Sequence, residues 1–214
     1  MWVTSIANAL DRLLPEGDHA ELAAHGGGRV EVDIGSFEES RLSKPTTRSE
    51  GGAALAEAPT WVAPPPTMRV PLEFPDQIEA LVSSDMNVLV EAVELISPGN
   101  KDRAGSRKAF AAKCATSLHE GVGVVIVAIV TNRTGDLHGE LMAMQGAERT
   151  GLDLYATAIR PVRRPQVERL DTWVQPLEVG APLPSLPLVR GPRLMVRLDL
   201  DSNYHNACRH SRPA

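Results

Sequence analysis

Two carboxylates and a cluster of lysines are the residues whose types and spacing could do chemistry in this chain. Asp33 falls in Arg29 to Phe37, where Val30, Val32 and Ile34 alternate with Glu31, Asp33 and Gly35. That is the period of a strand. Glu94 falls in V-L-V-E-A-V-E-L-I-S-P-G-N-K, residues 88–101, an apolar strand that stops at Ser97-Pro98-Gly99. If these strands are neighbours, Asp33 and Glu94 could together hold a hard divalent cation such as Mg²⁺. Such an ion activates water and stabilises negative charge on a phosphodiester. Lys101, Lys108 and Lys113, three of the chain's four lysines, fall within thirteen positions just beyond Glu94. Lys101 and Lys108 are the expected partners near the phosphate. The plainer alternative makes Asp33 a solvent-facing strand residue and pairs Glu94 with an arginine.

Strand alternation puts Glu94 and Ile96 on one face and Glu91 and Leu95 on the other, so Glu91 is read as structural. The S-P-G-N-K turn has two readings of equal weight. Its backbone N–H groups, amide and ammonium could receive an anion, or Pro and Gly make the turn and Asn caps it.

The elements that must position these residues follow from hydrophobic period. Trp2, Ile6, Leu10, Leu13 and Leu14 mark an opening helix, and His19 to His25 a short strand closed by three glycines. About residues 38–66, Ser, Thr, Gly, Ala and Pro dominate, the composition of a flexible insertion. Met68 to Phe74 is extended, and Gln77 to Val82 is expected to form a β-hairpin with the Glu94 strand. Asp102 to Glu120 reads as one helix with Ala109, Phe110, Cys114, Ser117 and Leu118 on a common face. Val122 to Thr131 is a continuous apolar run, expected of a strand buried on both sides. Leu137 to Met144 is ambiguous. Leu152 to Pro161 and Arg169 to Val179 read as an antiparallel pair, followed by a proline-punctuated extended stretch. Leu194 to Leu200 reads as a strand and Asp201 to His210 as a helix. The expected fold is a single α/β domain over 1–214, a mixed β-sheet with a crossover helix.

Composition narrows the partners. Apolar residues make up 43% of the 214 and aromatics only 4%, so the core must rest on aliphatic side chains. A net charge of -5 gives no global electrostatic reason to bind nucleic acid. Two cysteines form no disulfide framework, and the N-terminus has no secretion-signal pattern. No apolar run approaches the ~20 residues of a membrane helix. A cytoplasmic protein with no membrane segment is expected. His138-Gly139-Glu140 is a weaker acid/base candidate. His205, Cys208 and His210 carry ligand atoms but fit no zinc spacing. No G-x-S-x-G, Walker loop or H-E-x-x-H occurs.

The block Glu94 to Lys101, E-L-I-S-P-G-N-K, resembles the signature of the bacterial domain of unknown function 4058 family. The segments R-V-E-V-D-I, G-V-G-V-V-I-V, L-D-L-Y-A-T-A-I-R-P, P-L-P-S-L-P-L and L-D-L-D-S-N-Y resemble that family in the same order. The resemblance covers nearly the whole chain, but the family's usual N-terminal lead before the first helix is missing. The family is similar in outline to the PD-(D/E)XK nuclease-like (restriction-endonuclease-like) architecture, in which a helix precedes a hairpin-rich sheet and a crossover helix follows. It implies Asp33 and Glu94 as metal ligands, Mg²⁺ as cofactor and nucleic acid as partner. The chain departs from that pattern at the lysine, whose slot is Ile96. Two functions follow. One is a Mg²⁺-dependent nuclease-like phosphodiesterase with Lys101 or Lys108 at the phosphate. The other is a catalytically inactive binding or regulatory module on the same scaffold.

Overall fold

The computed structural model describes residues 2–14, 18–22, 34–39, 61–72, 87–165, 167–190 and 194–210. Asp33 lies outside the described residues, as do Gln77 to Val82 and most of the expected insertion.

Helix α1 (Trp2–Leu13) is amphipathic and buries Ile6, Ala7 and Leu10. It leads into strands β1 (Asp18–Leu22) and β2 (Ile34–Glu39), an antiparallel pair. Strand β3 (Met68–Pro71) ends on a proline, which suits its place at a sheet edge because Pro donates no ladder hydrogen bond. Strand β4 (Asn87–Leu95) carries Glu91 and Glu94 and pairs antiparallel with β2.

The helix expected over Asp102 to Glu120 is present, and the S-P-G-N-K turn ahead of it forms a short helix of its own. A five-residue α2 (Pro98–Asp102) is separated from α3 (Ala104–His119) by Arg103, whose backbone is extended at φ -125° and ψ 151°. Arg103 supplies the carbonyl that accepts the Arg107 N–H, the first hydrogen bond of α3. Strand β5 (Gly123–Ala128) then lies parallel to β4, and all six of its residues are buried. The crossover helix and the doubly buried strand are both as the sequence leads one to expect.

The ambiguous segment is helix α4 (Leu137–Met144), started by the Asp136 side chain accepting the Gly139 N–H at 2.7 Å. Strands β6 (Tyr155–Arg164) and β7 (Val167–Pro176) form the expected antiparallel pair. The proline-punctuated stretch is itself paired: β8 (Ser185–Arg190) and β9 (Leu194–Asp199) make a separate two-stranded sheet. Among the described residues no other strand flanks β8, so Pro187 sits on an edge strand, where a proline is tolerated. Helix α5 (Leu200–His210) ends the described chain.

Among the described residues the main sheet has seven strands in the order β1-β2-β4-β5-β6-β7-β3, with β4 and β5 as its parallel pair. One face is covered by α3 and α4, where Ile96, Phe110, Cys114, Leu118, Ile126, Leu141 and Tyr155 form a core. The other is covered by α1, α5 and the β8–β9 sheet, where Ile6, Leu10, Val93, Val125, Trp173, Leu188 and Leu198 form a second core. Residues just before β3 join this framework, since Trp173 Nε1 donates to Pro64 O at 2.7 Å. No helix among the described residues is long and apolar enough to cross a membrane.

Candidate functional site

Glu94 lies on the face of β4 covered by α3, in register with Ile126 of β5. Lys113 reaches down from α3, nineteen residues later in the chain, and its Nζ sits 2.7 Å from Glu94 Oε2. The glutamate side chain is 5% exposed and the lysine 24%, so the pair opens to solvent from the lysine side. The ammonium also lies 5.4 Å from the centroid of the Phe110 ring, a favourable cation–π placement. Beneath them, burial pushes the Cys114 thiol far up, and the Glu94 charge adds to the shift. Cys114 is therefore core, as its position on the apolar helix face implies, and is no nucleophile.

Lys101 is engaged elsewhere. It is 1% exposed. Its ammonium donates to the main-chain carbonyls of Asp153 and Val130. Burial lowers its pKa, while the Asp153 and Asp136 charges work in the opposite sense. Lys108 is exposed on α3. Asp33 immediately precedes Ile34, the residue of β2 paired with Val93, and is itself outside the described residues.

The S-P-G-N-K turn is built as a helix start. Asn100 Oδ1 accepts from Ser97 N at 2.8 Å and from Ser97 Oγ at 2.7 Å, and Asn100 N donates back to Ser97 O at 3.1 Å. Pro98 occupies the first helical position, where its missing N–H costs nothing. The turn's polar groups are thus engaged with one another, and its lysine is a strut that ties α2 to the segments flanking β5 and β6.

Glu91, on the opposite face, is buried in register with Gly123. A Cβ at Gly123 would stand 2.0 Å from Glu91 Oε2, so the absence of a side chain there makes room for the carboxylate. The weaker candidates are also accounted for. His138 is wholly buried; its N–H donates to Tyr155 Oη at 2.8 Å and its Nδ1 lies 3.2 Å from Thr150 Oγ1. Burial lowers its pKa to about 4. Glu140 instead takes both guanidinium nitrogens of Arg149 at 2.9 Å, so the two do not form an acid/base pair. No group of three His, Cys, Asp or Glu able to hold a metal ion occurs among the described residues.

Lys113 is the site residue that spacing within the strand does not reveal. The signal lay in the helix: three residues after Phe110 and four before Ser117, it sits at the margin of the buried face.

These features define an α/β protein with a mixed sheet, one parallel strand pair and a buried Glu–Lys pair on the helix-covered face. No family model, curated protein or solved structure matches the chain.

Proposed function

We propose that the chain is a nuclease-like, Mg²⁺-dependent phosphodiesterase whose lysine is delivered by α3. The contact of Lys113 Nζ with Glu94 Oε2 at 2.7 Å carries this reading. In the PD-(D/E)XK outline a lysine two residues beyond the glutamate would share its face. Here that position is Ile96, buried in the core beneath α3. An ammonium placed there would be enclosed by aliphatic side chains, at a desolvation cost of several kcal/mol. A lysine entering from the helix avoids that cost while keeping its amine beside the carboxylate.

Two further observations support the reading. Helix α1, the antiparallel β1–β2–β4 run, and α3 leading to a parallel β5 resemble the outline that the sequence suggests. Ile34, the first described residue of β2, pairs with Val93, the neighbour of Glu94, and Asp33 precedes Ile34 in the sequence. Glu94 is a hard oxygen donor of the kind Mg²⁺ takes, and Asp33 would be the second. The ion would supply charge neutralisation at the phosphodiester and an activated water. The part of this chain's own residues is to hold the carboxylate in place and to set an ammonium at its solvent side, where developing negative charge is offset.

A second reading, an inactive binding or regulatory module on the same scaffold, is favoured by Ile96 in the lysine slot and by the net charge of -5, which suits nucleic acid poorly. The two readings separate in a Mg²⁺- or Mn²⁺-dependent cleavage assay on DNA and RNA, run with the full chain, Glu94→Ala and Lys113→Met. Metal-dependent cleavage lost in both variants supports the enzyme. Cleavage absent from the full chain, or unchanged in Glu94→Ala, sinks it.

A further inference from the structure

A cavity whose lining does not include Glu94 lies at the carboxyl end of β5. Four segments meet there: Ile129 and Thr131 just after β5, Leu154 just before β6, the 177–183 turn after β7, and the first turns of α5. Ligands gather at this end of parallel strands because the connecting loops diverge there. The cavity measures about 570 Å³, the size of a site for a small organic molecule.

Its lining is unusually apolar for an open surface. Among the described residues six large hydrophobic side chains are exposed, and three of them, Ile129, Val179 and Tyr204, line this one cavity. Single exposed apolar residues are ordinary, whereas a cluster of them rimmed by polar groups marks a binding surface. The Tyr204 ring is held in place by an edge contact with Trp2, centroids 5.3 Å apart at 79°.

The lining contains the carboxylates of Glu178 and Asp201, the imidazole of His205, and no lysine or arginine. Asp201 is fixed: Oδ1 accepts the Leu183 N–H at 2.9 Å and Oδ2 lies 3.4 Å from His205 Nδ1. The start of α5 does not offset them, because Asp199 Oδ1 already accepts the Ser202 N–H at 3.0 Å.

From this combination of apolar walls, a fixed aromatic ring and two carboxylates with no lysine or arginine beside them, we propose that the cleft binds a small amphipathic organic cation of the aryl- or alkylamine class. The apolar body lies against Ile129, Leu154 and Leu177, and the ammonium meets the Tyr204 ring and the two carboxylates. A cation over an aromatic ring gains energy that a neutral or anionic isostere does not.

The test is a ¹H–¹⁵N NMR titration of the full chain with phenethylamine, phenethyl alcohol and phenylacetate at equal concentrations. The amine is expected to shift the amides of Thr131, Leu183 and Tyr204, and to bind at least about threefold more tightly than the alcohol. Phenylacetate should leave those amides in place. Tyr204→Leu should weaken amine binding about three- to tenfold. Because that change also touches the packing on Trp2, Glu178→Gln, at an exposed turn, provides a second variant expected to weaken the amine but not the alcohol. Equal binding of amine and acid, equal binding of amine and alcohol, shifts confined to other surfaces, or no shifts at all would each overturn the assignment.

Discussion

Lys113 Nζ and Glu94 Oε2 stand 2.7 Å apart across the boundary between α3 and β4, while Lys101, only seven positions after Glu94, is bound to carbonyls at the ends of β5 and β6. Proximity in the chain therefore misidentifies the partner lysine. The strand turns away at Ser97, and α3 brings a later residue back over the glutamate.

This relationship separates the lysines by experiment. If the protein cleaves phosphodiesters, Lys113→Met should lower the rate about a hundredfold or more, because it removes charge stabilisation at the reacting centre. Lys108→Met, at an exposed position, should change the rate by less than about twofold. Single-turnover cleavage with saturating Mg²⁺ measures both.

Removing either member of the Glu94–Lys113 pair should destabilise the fold. The loss should be about 1–3 kcal/mol, below that of a fully buried pair because Lys113 is partly solvated. The double change Glu94→Leu with Lys113→Met should recover part of it, since no uncompensated charge then remains. Urea unfolding of the three variants gives the coupling energy directly. Strict additivity would show that the contact contributes nothing.

Lys101→Met keeps the aliphatic stem but leaves the carbonyls of Asp153 and Val130 without their donor. A stability loss of about 1–3 kcal/mol is expected. Cleavage, if present, should persist at temperatures where the variant stays folded. A lost rate with unchanged stability would restore Lys101 to the site.

His138 should make stability depend on pH. Its native pKa is lowered to about 4 by burial, below the ordinary value of 6.5, so the unfolded state binds more protons between those limits. Stability is then full above about pH 6.5 and falls as pH drops toward 4, by ~3 kcal/mol over the whole window. Urea midpoints measured from pH 7 to pH 4.5 should show the decline, and His138→Phe should flatten it.

Gly123→Ala should cost about 1–3 kcal/mol, because the new Cβ would stand 2.0 Å from Glu91 Oε2 and the buried carboxylate must move. Combined with Glu91→Ala the cost should be smaller than the sum of the single changes. Thermal melts of the four proteins decide it.

Much of this architecture follows from local pattern. The apolar run at Val122 to Thr131 reads as a strand buried on both faces, and β5 is so buried over Gly123–Ala128, while Ile129 and Thr131 lie exposed beyond its end. The period-two alternation around Glu94 sets it opposite Glu91, since a strand backbone points successive side chains to opposite faces whatever surrounds it. The helical face of Ala109, Phe110, Cys114, Ser117 and Leu118 is likewise local, and the last four are buried, whereas Ala109 at its margin is exposed. Tertiary structure alone decided the rest. It carried β3 to the far edge of the sheet beside β7, paired β8 with β9, coiled the S-P-G-N-K turn into α2, and buried Lys101 as a strut. It also chose Lys113. The reach of a helical side chain to a strand carboxylate depends on the helix's rotation and offset along the sheet. Those are set by the summed packing of Phe110, Cys114 and Leu118 against Ile96 and Ile126, residues distant in sequence whose joint fit no local period encodes.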